Sequence, residues 1–118
     1  MSSFLKRKLS ESTDGMPIKV VATSTAGTLI HTAVAGTTDG TYDEIWLYAY
    51  NGHTAAVELT IEYGDASTEH NIKVTLASKS GFSFQHPGLL LQNAKTIRAF
   101  AGTANVVTIS GFVNRITD

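Results

Sequence analysis

The stretch Tyr42–Tyr63, YDEIWLYAYNGHTAAVELTIEY, constrains this chain more than any other. Side chains on a strand point alternately to opposite faces. The second half obeys that rule with one apolar side: Val57, Leu59, Ile61 and Tyr63 alternate with Glu58, Thr60 and Glu62. In the first half, Ile45, Leu47 and Ala49 make one apolar face, and Trp46, Tyr48 and Tyr50 make a second, aromatic one. A strand with water on one side needs only one such face. The pattern predicts a β protein with a surplus apolar face.

Asn51-Gly52, between the halves, is a hairpin signal. A two-residue turn would pair Tyr50 with His53 and put the aromatics beside Val57 and Leu59. A three-residue loop, 51–53, would pair Tyr50 with Thr54 and Leu47 with Val57. One residue of slip exchanges the faces. Packing aliphatic against aliphatic selects the longer loop. Ile45, Leu47 and Ala49 then face the core, and Trp46, Tyr48 and Tyr50 face outward beside Glu58 and Glu62.

The rest of the chain reads the same way. Strand-like runs at 18–23, 28–34, 42–50, 55–63, 71–77, 81–84, 96–101 and 105–116 are separated by Gly, Asp and Asn turns, with an irregular passage from Pro87 through Leu91. About eight strands and no helical periodicity imply an all-β antiparallel β-sandwich of jelly-roll type, with an immunoglobulin-like sandwich as the alternative. The 118 residues fit one domain, 17–118, preceded by an N-terminal arm, 1–16. Beyond its basic triplet the arm is polar and turn-rich, as expected of a flexible tail or of a segment that orders on a partner.

Lys6, Arg7 and Lys8 are three of nine basic side chains, so the remainder sets six bases against ten acids. A body of that balance lacks the basic stripe of a nucleic-acid-binding domain. No apolar run approaches the roughly 20 residues of a membrane span, and no signal-like segment follows the basic triplet. The chain is expected to bind neither nucleic acid nor membrane.

There is no cysteine, hence no thiol chemistry. His31, His53, His70 and His86 are not at metal-ligand spacings, and no serine sits in a GxSxG elbow. Asp39, Asp43 and Glu44 do not follow the spacing of a calcium loop. Glu58 and Glu62, on one strand face about 13 Å apart, are too distant for a glycosidase pair and read as solvating charges. The residues predict no enzyme, catalytic site, cofactor, metal or small-molecule substrate. The aromatic row, about 6.6 Å from ring to ring along the strand, admits three uses: cover within the domain, a partner interface, or sugar stacking in a carbohydrate-binding or receptor-recognition module.

The strings KRKLSESTDGMPIKV, AGTLIHTAV, DEIWLYAYN and VVTISGFVNRI, spanning Lys6 to Ile116, resemble the head decoration (cement) proteins of tailed bacteriophages and allied virion structural proteins. That resemblance implies a β-sandwich on the outside of the capsid, commonly a homotrimer, that clamps neighbouring copies of the major capsid protein against internal pressure. A neck or tail component is the alternative. The outward face read above makes Trp46, Tyr48, Tyr50, Glu58 and Glu62 candidates for the interface, and on the resemblance Lys6, Arg7 and Lys8 become candidates for capsid contact.

Overall fold

The computed structural model describes residues 3–117, apart from the side chains of Phe84 and His86. Among the described residues there are nine strands and one short 3₁₀ turn, Thr68–His70. The strands are β1 (Ser3–Lys8), β2 (Ile18–Lys19), β3 (Thr28–Thr32), β4 (Tyr42–Asn51), β5 (Val57–Gly64), β6 (Asn71–Leu76), β7 (Ser83–Leu91), β8 (Thr96–Ala101) and β9 (Val107–Thr117). One antiparallel sheet runs β1-β9-β4-β7, with β2 also on β9; the other runs β3-β8-β5-β6.

β1 and β2 share one edge of β9, so they are a single strand position interrupted once. Lys8 lies opposite Phe112 and Ile18 opposite Ile109, so the nine residues 9–17 stand against only Ser110 and Gly111 of β9. Counted this way the molecule has eight strand positions in two four-strand sheets, the jelly-roll arrangement of the sequence reading. The supposed arm is therefore partly structure: residues 3–8 add a strand to the sheet, and Leu9 lies in the core at 1% exposure. Leu9 is the first apolar side chain after the basic triplet, and burying it ties the chain down there.

The core lies between the sheets. Ile45, Leu47 and Ala49 from β4, with Ile109 and Val113 from β9, face Leu59 and Ile61 from β5 and Ile97 and Ala99 from β8. Fully burying one Leu or Ile contributes about 1.5–3 kcal/mol, so this layer supplies the main drive for folding. The expected inward faces of both halves of Tyr42–Tyr63 are correct.

The expected hairpin is not formed. β4 pairs with β7 and β9, whereas β5 pairs with β6 and β8 in the opposite sheet. Residues 52–56 cross from one sheet to the other, so no pairing register joins the two halves. Asn51 makes that crossing. Its Nδ2 donates to the carbonyls of Ala55 and Leu76, both at 3.0 Å, and its Oδ1 accepts from the His53 N–H at 2.9 Å. The Asn-Gly pair thus builds a side-chain-closed turn, at 1% exposure of Asn51.

The second half of the expected short strand 81–84 and the passage from Pro87 through Leu91, expected to be irregular, belong to one strand, β7 (Ser83–Leu91). β7 slips register against β4 twice, between Ile45 and Trp46 and between Leu47 and Tyr48, leaving Gly88 and Gln85 unmatched. Bulges and a proline are both tolerated on an edge strand, where half of the N–H groups need no ladder partner. Such interruptions hide the strand from a period-two reading.

Candidate functional site

The outer face of the five-stranded sheet carries Glu44, Trp46, Tyr48 and Tyr50 from β4, each partly buried. The aromatics do face away from the core, as predicted, but β7 and β9 flank them, not β5. Glu58 and Glu62 lie in the other sheet and take no part in this face.

Trp46 is enclosed from both sides. Phe112, opposite it on β9, stacks at 6.0 Å between centroids and 10° between planes. Gly88, at a bulge on β7 with φ +75°, comes so close that an added Cβ would sit 3.0 Å from Cζ2 of the indole. The left-handed φ and the missing side chain both require glycine. The indole N–H donates to Glu44 Oε1 at 2.8 Å, and Asn114 Nδ2 donates to the same oxygen at 3.0 Å. Those two bonds hold the Glu44 carboxyl below its ordinary range. Further along, Tyr48 meets the exposed Phe82 at 6.1 Å and 53°. Lys6 Nζ lies 4.6 Å from the Phe112 ring centroid, a cation–π contact linking β1 to this row.

The close approach of β9 to β4 depends on Gly111. A Cβ there would lie 2.0 Å from the Trp46 carbonyl oxygen, so no other residue fits without moving a strand.

β1 has no cover. It pairs with β9 along one edge, and all six of its residues are exposed. Phe4 and Leu5, pointing to opposite faces, are 61% and 54% exposed, and Lys6, Arg7 and Lys8 follow them. An open strand edge with apolar side chains on both faces is a template for association, tempered here by charge.

A polar cluster lies under β1. Asp43, the first inward residue of β4, is fully buried. Arg115 grips it with Nε on Oδ1 at 2.7 Å and Nη2 on Oδ2 at 2.9 Å. His31 Nε2 lies 2.8 Å from Oδ2, and the Val34 N–H donates to Oδ2 at 3.2 Å. His31 Nδ1 accepts from the Ser10 N–H at 2.9 Å, so the ring carries its hydrogen on Nε2 and donates it to Asp43. Burial alone would raise the Asp43 pKa; the hydrogen bonds from Arg115 and His31 and the charge of the Arg115 guanidinium outweigh it and bring the value down to about 2. The same ion pair raises Arg115.

A serine, a histidine and an aspartate in sequence order invite comparison with a hydrolase triad. Here Ser10 offers His31 its backbone N–H, while its hydroxyl oxygen accepts from the Thr32 N–H at 2.7 Å. The imidazole has no free nitrogen to take a proton from the hydroxyl. The cluster is a tie between the two sheets and the 9–17 excursion.

Glu62 departs from its expected solvating role. It is 1% exposed and accepts from the Gly27 N–H at 2.6 Å and from the Thr25 hydroxyl. Arg98, opposite Glu62 on β8, donates to the Gly27 carbonyl at 3.1 Å. Together they pin the loop before β3 over the outer face of the four-stranded sheet. Glu58, on the same face, stays exposed.

The remaining histidines are dispersed. His53 lies in the sheet crossing, and His70 is exposed, bonded through Nδ1 to Asp65 at 2.7 Å. The side chain of His86 is outside the described residues. Asp39 accepts from the Tyr42 hydroxyl and does not join Asp43.

Comparison with protein-family models, with curated proteins and with solved structures finds no match to this chain.

Proposed function

We propose that this protein is a non-enzymatic structural subunit of a tailed-bacteriophage virion. It decorates the outer capsid surface as a homo-oligomer, a trimer by resemblance, and braces neighbouring copies of the major capsid protein. The observation that carries the reading is β1: a basic strand, open along one edge and exposed on both faces. Its chemistry suits an acidic protein surface, to which it could add backbone hydrogen bonds as well as charge. The exposed Phe82, packed on Tyr48, continues the outer face toward a second copy.

Sugar stacking on Trp46 loses support from the geometry, because Phe112 and Gly88 occupy both sides of the indole. A glycan platform needs one aromatic face open.

The burial of Leu9 and the bond from Ser10 to His31 set where the arm can be cut. Removing residues 1–8 should leave the sandwich folded, whereas removal through Gly15 would take part of the core. Particles lacking the protein should release DNA at lower temperature than decorated ones, and the 1–8 truncation should not restore the difference. Equal heat resistance with and without the protein would sink the bracing role. Full occupancy of particles by the truncated chain would sink the role of β1.

A further inference from the structure

A cleft of about 480 Å³ opens beneath β1, between the 9–12 segment and residues 31–35. β1 is exposed along its whole length, and the Arg115 side chain near the end of β9 is partly exposed. Arg7 and Arg115 line this cleft, whereas Lys8, opposite Phe112, borders it from a position whose side chain turns to the outer face. Arg7 pairs with Val113, two residues before Arg115 on the same face of β9. Such diagonal neighbours are about 7–8 Å apart at Cα, within mutual reach of long side chains.

No carboxylate lines the cleft among the described residues. The nearby Asp43 is fully buried, and its oxygens are taken by Arg115, His31 and the Val34 N–H. It neutralises Arg115 from behind and offers nothing to the cleft. Arg7 and Lys8 form no ion pair with any described residue. The Ser10 hydroxyl, whose oxygen already accepts from Thr32, has its own proton to give. The walls therefore present guanidinium and hydroxyl donors, with the surplus charge positive. The volume lies in the range of ligand sites and exceeds what a small inorganic ion fills.

We infer that this cleft binds an oxyanion, carboxylate or phosphate, carried on a larger group, with Arg7 as its principal ligand and Ser10 as a second donor. Guanidinium matches both oxyanions with two parallel N–H donors. Arg115 is held by Asp43 in a fixed orientation and presents a preset flank. This site does not rest on the virion reading: it would hold in a monomer free in solution.

The test is titration of the full chain with sodium phosphate and, separately, with sodium glutarate, at constant ionic strength with chloride as the control. Backbone amide resonances of Ser10 and Thr32 report binding. Saturable shifts at these amides are expected with at least one probe. Saturation by phosphate alone assigns a phosphate-bearing ligand; saturation by glutarate assigns a carboxylate such as an acidic side chain. Arg7→Gln, a change on an exposed strand, should weaken binding about tenfold or more, the loss of one charge-assisted hydrogen bond. Lys19→Gln, outside the cleft, should bind as the parent does. Non-saturating shifts equal to those in chloride, or unchanged affinity in Arg7→Gln, would overturn the site.

Discussion

β4 and β5 exchange the characters that their sequences suggest. β4 carries apolar residues on both faces, yet its burial alternates without a break from Tyr42 to Asn51. β5 reads as one-sided, yet Leu59, Thr60, Ile61 and Glu62 are all buried. The difference lies in what covers each outer face. Over β4 lie neighbouring side chains, Phe112 and Glu44 beside Trp46 and Phe82 beside Tyr48, which leave the row partly exposed. Over β5 lies a backbone loop that Glu62 and Arg98 hold down. A polar side chain on a strand is thus no guarantee of solvent. A carboxylate can be buried when an N–H and a hydroxyl converge on it.

The largest effect should come from the inner start of β4. Arg115→Ala leaves Asp43 buried without its cation, and breaking a buried pair in this way costs about 3–5 kcal/mol. Chemical denaturation would measure it. A loss under 1 kcal/mol would mean that Asp43 escapes to water and that the inner face of β4 is less closed than described.

Next comes a direct break of the β5 comparison. Glu62→Ala strands the Gly27 N–H and the Thr25 hydroxyl and should cost about 2–3 kcal/mol. Glu58→Ala, on the same face but exposed, should change stability by less than about 0.5 kcal/mol. Similar values for the two variants would restore the one-sided strand of the sequence reading.

The smallest is a pH effect. Asp43 has a folded pKa near 2 against an ordinary value of 3.8. A depressed carboxylate stabilises the fold above its unfolded pKa, and the contribution disappears as pH falls from about 4 toward 2. The amount is about 2 kcal/mol, at 1.36 kcal/mol per pKa unit. Acid unfolding of Asp43→Asn should lack that component; a parent curve flat between pH 4 and 2 would contradict it.

Much of this could be read in advance, and the failures are specific. The inward faces of β4 and β5 followed from aliphatic spacing, because burying Ile45, Leu47, Leu59 and Ile61 dominates every alternative. Asn51-Gly52 misled because a turn signal says where the chain bends, not which sheet it enters next. Most of β7 was read as an irregular passage because its bulges break the period. Glu62 was read as a solvating charge, and Asp43 was weighed only for a calcium loop, because their partners, Gly27 and Arg115, lie far along the chain. Glycine spacing gave no warning that Gly88 and Gly111 serve Trp46 and its strand.

By itself the sequence determined a cysteine-free, all-β chain with a period-two core, an uneven charge and one apolar face more than a single sheet needs. Those properties are local, set by side-chain alternation and by the composition of short segments. Only the tertiary structure decided that β4 and β5 belong to opposite sheets, that the basic triplet forms an uncovered edge strand, and that Asp43 and Glu62 are interior. Each of these depends on pairing between distant segments, where a hydrogen bond or an ion pair takes its value from burial that no neighbouring residue announces.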